Sequence, residues 1–362
     1  MAFKRINKRN LISNIVSIVL LITVCIIVNN TGNMQWPQYI SKILIFSIAA
    51  LALNVVCGCL GEFALGHGGF LLIGYTIAFL VGQGIYGLLG ASTFKDLFYS
   101  TREGLQPLGY LLIVGDSLIA AVVTAIFGFL VGVIALGRLK GDYLAIVTLG
   151  FGLIFVNIAN NIDFLGGTTG KGISTKLAGT PVLYAVMLVI TIFLVLSFMK
   201  SRFGRGILAC RDDNIASEAC GVPVKKYKVL AFTFSAFIAG LAGGLYAHYN
   251  TFAPGTFGQD LSIELLIIVV LGGLGSLTGS VIASIIIVLY NLWICSMGWV
   301  PPFFKNNPKI IYGVVLVSIM LFRSSGILGT SEFSWDWFYD KVKKVWKKIL
   351  SIFKKKAPKE VE

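Results

Sequence analysis

The sequence predicts an all-α polytopic membrane protein of about ten transmembrane helices. Three observations predict it. Of the 362 residues, 56% are hydrophobic and only 13% are charged, about half the charged share of a soluble domain. The apolar residues fall in stretches long enough to span a bilayer. The charge, a net +14, gathers at the two ends and between those stretches. Such a chain cannot cover a globular surface with ionised groups, which excludes a soluble enzyme, a nucleic-acid-binding domain and a disordered protein.

The spans follow in order as windows poor in charge. Leu11–Val28 comes first and corresponds to about 27 Å of helix, close to a hydrocarbon core. Ile43–Cys59, Phe63–Tyr86, Tyr110–Leu136, Leu144–Asn160, Val182–Met199, Val229–Tyr249, Leu265–Leu277, Val281–Met297 and Ile310–Phe322 follow. The eighth and tenth are short for a full crossing, and the eighth reads as a broken or re-entrant element.

Orientation follows from lysine and arginine. Residues 1–10 carry Lys4, Arg5, Lys8 and Arg9 and no acid, which places the N-terminus in the cytoplasm. An even number of crossings returns the C-terminus to the same side. Residues 330–362 form a lysine-rich cytoplasmic tail, with nine lysines after residue 340. In the tail Val342, Val345, Trp346, Ile349, Leu350, Ile352 and Phe353 recur at helical spacing, as in a basic amphipathic helix on anionic headgroups. The whole reads as a multi-pass plasma-membrane protein with a transmembrane body at 11–329. The bilayer is its surroundings and no nucleic acid is a partner.

Glycine clusters twice, at Gly58, Gly61, Gly66, Gly68, Gly69 and Gly74 and at Gly272, Gly273, Gly275 and Gly279. Glycine admits close helix approach and broken backbone within a membrane. The clusters lie five crossings apart, so an inverted repeat is expected, with a translocation path at its interface. Glu62 and His67 sit in the first cluster and are path candidates, because an ionisable residue in a membrane segment is functional by default. Equally, Glu62 is placed at the membrane edge, where it is simply hydrated. Thr148 joins the path candidates, while Asp142 reads as the N-terminal cap of the fifth helix. Asn157, Asn160 and Asn161 mark the outer end of that helix. His248 and Tyr249 read as interface anchors. The six cysteines show no paired metal-ligand spacing. GGTTGKG at Gly166–Gly172 superficially suggests a phosphate loop, but it lacks the first glycine and the final Ser/Thr of that motif.

Between the sixth and seventh spans lies the long polar segment Ser201–Lys228. Ile207, Leu208, Ile215, Ala219 and Val222 recur at near-helical spacing. Arg205, Arg211, Asp212, Asp213 and Glu218 supply charges of both signs, and Gly221 with Pro223 stops the helix. A helix for headgroups would be dominated by basic residues. This mixed one suits a protein partner.

The stretch FGRGILACRDDNIASEACGVPVKKYKVLAFTFSAFIAGLAGGLYAHY, from Phe203, resembles the coupling region of the LivM-type permeases of branched-chain amino-acid ABC importers. LGHGGFLLIGYT (Leu65–Thr76), LKGDYLAIVTLGFG (Leu139–Gly152), FLGGTTG (Phe164–Gly170), SIELLIIVVLGGLGSLTG (Ser262–Gly279) and LFRSSGILG (Leu321–Gly329) resemble further blocks of the family, in order. The resemblance implies a transport subunit rather than an enzyme. It implies a coupling helix at 201–228 that docks on two cytoplasmic ATP-binding subunits through Arg205, Arg211, Asp212, Asp213, Glu218, Ala219 and Gly221. It also implies a sister permease, an external solute-binding protein, and ATP and Mg used only by the partner ATPases. The path candidates are Glu62, Gly66, His67, Gly68, Gly69, Thr148, Gly272, Gly273 and Gly275. Glu62 departs from the neutral, glutamine-like residue common in the family, and Leu153 from a frequent glutamate. A permease for urea, short amides or another small neutral solute is the alternative. A proton-coupled secondary transporter is a more distant one.

Overall fold

The computed structural model describes residues 8–29, 35–89, 106–136, 139, 141–170, 181–249 and 253–292, with scattered positions between 313 and 329. The basic N-terminal residues 1–7, the tail 330–362 and most of the tenth window lie outside the described residues. The helices are α1 (Lys8–Asn29), α2 (Gln35–Asn54), α3 (His67–Leu89), α4 (Gln106–Ala135), α5 (Asp142–Asn160) and α6 (Pro181–Lys200). They continue with α7 (Arg202–Asp212), α8 (Asn214–Ala219), α9 (Val224–Tyr249), α10 (Gln259–Gly272) and α11 (Leu277–Leu292). No strand occurs among the described residues.

Among the described residues, six units are long and apolar enough to cross a membrane, and Val19–Asn29, His67–Gly82 and Leu277–Leu292 are shorter apolar helices. They account for the first nine windows. Several boundaries differ from expectation, two of them in the connections that flank α9. Residues 250–264, between the seventh and eighth windows, contain a 3-10 turn at Pro254–Phe257 and the first turns of α10. Lys225, Lys226 and Lys228, read as loop, belong to α9. The reason for the second is that Pro223 stands immediately before Val224, where its fixed φ favours starting a helix.

α2 is the buried axis of the bundle, with every side chain from Ile43 to Leu60 enclosed. It packs against α1, α6, α9, α10 and α11. Its serines are tolerated because each hydroxyl donates to a carbonyl one turn back, Ser41 to Pro37 (2.8 Å) and Ser47 to Ile43 (2.7 Å). α4 and α9 form the most extensive pair. Small residues at one-turn spacing on α9 make it possible: Ala236 lies on Gly128, Gly240 on Thr124 and Gly244 on Ser117. Such a stripe lets backbones approach without any aqueous hydrophobic drive between helices. The opposite face of α4 is uncovered and uniformly bulky and apolar, with Leu118, Ile119, Val122, Ile126, Phe129 and Leu130 exposed. That composition suits hydrocarbon.

Candidate functional site

The two glycine clusters meet. α2 ends in a π turn, Val55–Leu60, and the chain then runs irregularly through residues 61–66 to α3. α10 and α11 are separated by the break at residues 273–276. Gly58 in the π turn lies directly on the backbone of Gly275. Asn54, fully buried, staples the junction. Its Oδ1 accepts from the Gly275 N–H (2.8 Å), and its Nδ2 donates to the Ser276 carbonyl (2.9 Å) and to Ser280 Oγ (3.0 Å). Asn54 was not among the sequence candidates. It lies inside an apolar window, and only the break it serves reveals its role.

The remaining glycine candidates also sit at backbone contacts. Gly66 touches the Thr148 backbone, Gly68 the carbonyls of Phe257 and Gly258, Gly69 the Cα of Gly152, and Gly272 the backbone of Gly279. Gly273 and Gly275 have φ of 114° and 90°. The Thr148 hydroxyl accepts from the Leu65 N–H (3.1 Å) and donates to the Ala145 carbonyl (3.0 Å), so it satisfies an amide freed by the α2–α3 break. Gly141 rather than Asp142 occupies the cap position of α5.

His67 is buried at the start of α3. Ser235 Oγ donates to the Ala52 carbonyl (2.6 Å) and lies 2.7 Å from His67 Nε2. The Ser235 hydroxyl thus bridges the imidazole and the Ala52 carbonyl. His67 thereby ties α3 to α9 and, through Ser235, to α2. Glu62 is neither a free carboxylate in a path nor a simply hydrated one. It pairs with Lys228 of α9, whose side chain is only 6% exposed. Lys228 escaped the sequence reading because a lysine beside Lys225 and Lys226 looks like part of a solvated basic run.

A carboxylate missing from the sequence candidates is Asp116, inside the fourth window and buried. Its Oδ2 lies 2.6 Å from Nε2 of His248, itself 1% exposed. His248 is therefore enclosed between α4 and α9 and is not an interface anchor. Tyr249 fits the anchor reading better, donating from its hydroxyl to the Gln38 carbonyl (3.0 Å). Asn157 on α5 and Asn161, just past its end, are exposed.

The segment after α6 holds two helices instead of one. Ser201 caps α7, its hydroxyl accepting from Gly204. Asp213 then breaks the helix in extended conformation and caps α8, accepting from the Ile215 (2.8 Å) and Ala216 (3.1 Å) amides. The break changes which face points inward. Ile207 and Cys210 of α7 are buried, whereas Ile215 is 81% exposed and Ser217 is buried in its place. Ile215 and Ala219 therefore do not belong to the packed face, and Ile215 is an exposed apolar group at the tip of the segment. α8 ends in a Schellman motif, with Gly221 N–H on Glu218 O (2.9 Å) and Val222 N–H on Ser217 O (3.0 Å). Gly221, at φ 79°, supplies the required left-handed residue. Arg205, Asp212, Asp213, Glu218, Ala219 and Gly221 are exposed, while Arg211 is half-buried against Gly61. Burial pushes the Cys210 thiol up, partly offset by the nearby charge of Lys228.

Apolar spanning helices, two adjacent helix breaks and a charged two-helix projection between spans define a membrane permease subunit. The comparisons narrow the class. The family described as "Branched-chain amino acid transport system / permease component" matches residues 37–321, and the chain belongs to it. It is 32% identical over 81% of its length, and 72% of the relative's, to the high-affinity branched-chain amino acid transport system permease protein LivM of Salmonella typhimurium. It is 24% identical to BraD of Pseudomonas aeruginosa, and 20% identical to LivH of Escherichia coli, permease proteins of the same kind of system. Each of these two matches covers 79% of this chain and 92% of the relative. No solved structure matches the chain. The protein is thus a multi-pass membrane permease subunit and not an enzyme.

Proposed function

We propose that this chain forms, with a sister permease, the translocation path of an ATP-driven importer of branched-chain amino acids. An external binding protein delivers the solute, and two cytoplasmic ATPases bind the segment 201–223. ATP and Mg belong to those ATPases. Both termini of this chain lie in the cytoplasm, with 11–329 as the permease body and 330–362 as a basic tail on the lipid surface. The match over 37–321 to permeases named for branched-chain amino acid transport carries the reading. Geometry adds support. α7 and α8 expose Arg205, Asp212, Asp213 and Glu218 together with the apolar Ile215, a mixture suited to a protein partner. The glycine-lined junction of Gly58 with Gly275, and Gly66, Gly68 and Gly69 beside it, is the path's structural frame. The charge on Glu62 is matched by Lys228, so the departure from the family pattern there has an explanation internal to the fold.

The test is uptake of labelled leucine into proteoliposomes holding the whole complex. We expect uptake to need internal ATP and the binding protein, and to be competed by isoleucine and valine. Competition by urea or short amides instead would reassign the solute. Uptake by this chain alone, driven by a proton gradient, would overturn the ATP-driven reading. Replacing Glu218 and Gly221 together should abolish transport and ATPase association while membrane insertion persists.

A further inference from the structure

We propose that Lys228 is a positioning residue for coupling: its ion pair with Glu62 links movement of the segment 201–223 to the backbone break between α2 and α3. The inference deepens the permease reading and rests on it.

Lys228 occupies the second turn of α9, immediately after the segment returns to the bundle. Glu62 is the second residue of the irregular stretch 61–66. The stretch is held at both ends by other elements. At one end Arg211 of α7 lies over Gly61, its Cγ 3.1 Å from where a Cβ would stand. At the other, the Leu65 amide bonds to Thr148 of α5 and Gly66 rests on the Thr148 backbone. Residues 61–66 therefore bridge α7 to α5, next to the Gly58–Gly275 junction. α7 in turn packs on α6, α9 and the π turn.

Apolar contacts between such pieces resist separation but let surfaces slide. A buried ion pair is directional, and breaking it strands a charge in a poorly solvated place. It is also a weak source of net stability, since a well-packed neutral pair of similar volume commonly does as well. A lysine and a glutamate enclosed together are thus better understood as fixing register between two segments than as holding the bundle together. Here the segments are the start of α9 and the α2–α3 break. A push on α7 reaches the start of α9, on which α7 packs, and the pair passes it on as a displacement of residues 61–66, and so to α5 and the glycine junction.

The experiment uses the complete complex with three variants of this chain. The neutral pair Glu62→Gln/Lys228→Met removes both charges without stranding either. Lys228→Met alone strands Glu62, and Glu62→Lys/Lys228→Glu exchanges the two. Readouts are ATPase co-purification, ATP hydrolysis and solute taken up per ATP. We expect the neutral pair to assemble and hydrolyse ATP while uptake per ATP falls about tenfold, a scale typical of coupling between sites. The exchange should recover most of that loss, and Lys228→Met should uncouple at least as strongly as the neutral pair. Normal uptake per ATP in the neutral pair would overturn the proposal. So would loss of ATPase co-purification in the neutral pair, which would make the ion pair a requirement of assembly. If the unaltered complex shows no ATP-driven uptake, the permease reading itself fails, and that control separates the two failures.

Discussion

The chain interrupts its helices twice in neighbouring places, after α2 and between α10 and α11, and the two interruptions are built differently. At 273–276 three of the four residues are buried, and the junction is neutral, with Asn54 supplying hydrogen bonds to Gly275 and Ser276. At 61–66 only two of the six positions, Ala64 and Gly66, are buried, Gly61 and Phe63 are exposed, and charged side chains, Glu62 with Lys228 and Arg211 beside Gly61, stand where the other break has an amide. A dry break of backbone on backbone has one arrangement, because close-packed interiors have little slack. A break tied by long side chains to a projecting segment has arms that can move with it. The contrast assigns a fixed floor to one side of the junction and a movable one to the other.

Substitutions where backbone lies on backbone should be the most damaging. In Gly58→Val the side chain would overlap Asn54 Oδ1 and the Gly275 backbone, neither of which can yield. We expect about 3 kcal/mol of destabilisation, the upper part of the usual overpacking range, and loss of the monodisperse complex on size exclusion. Survival of the complex would show that the second break is also mobile. Leucine at Gly66, Gly68 or Gly69 meets backbone in each case, and uptake should fall below a tenth of normal, on the order of what a misplaced catalytic or binding frame costs. Near-normal uptake by all three would mean that the glycines are spectators.

Asn54→Leu conserves volume approximately but leaves the Gly275 amide without its acceptor. About 2 kcal/mol should be lost, read as a lower unfolding temperature in detergent. Gly61→Ala is the counterpart at the movable break. Its φ of 80° disfavours alanine, but the new Cβ would meet only the flexible Arg211 side chain. We expect a cost of about 1 kcal/mol with uptake largely kept. An effect equal to that of Gly58→Val would erase the distinction between the breaks.

Much of this architecture could be read in one dimension. Nine apolar windows correspond to helices because a bilayer-spanning helix must satisfy its backbone internally and clothe it in hydrocarbon, a demand written into composition. The stop at Gly221 and Pro223 was legible because a Schellman end needs a left-handed residue. Asp213 was misread: as a charge it joined the polar face, whereas in the fold it ends α7 and caps α8, turning Ile215 outward. Asn54, Asp116 and Lys228 were missed together, because a polar residue in or beside an apolar window carries no local mark of its partner.

The sequence by itself determined the class: an all-helical membrane permease, its spans, its two glycine clusters and its projecting segment. These depend on local or summed properties, hydropathy over twenty residues or a turn's backbone requirement. Only the tertiary structure decided that Gly58 meets Gly275, that His248 faces Asp116 and that Glu62 faces Lys228. Each joins residues more than 100 positions apart, and whether a charge is free or paired depends on what packing brings beside it.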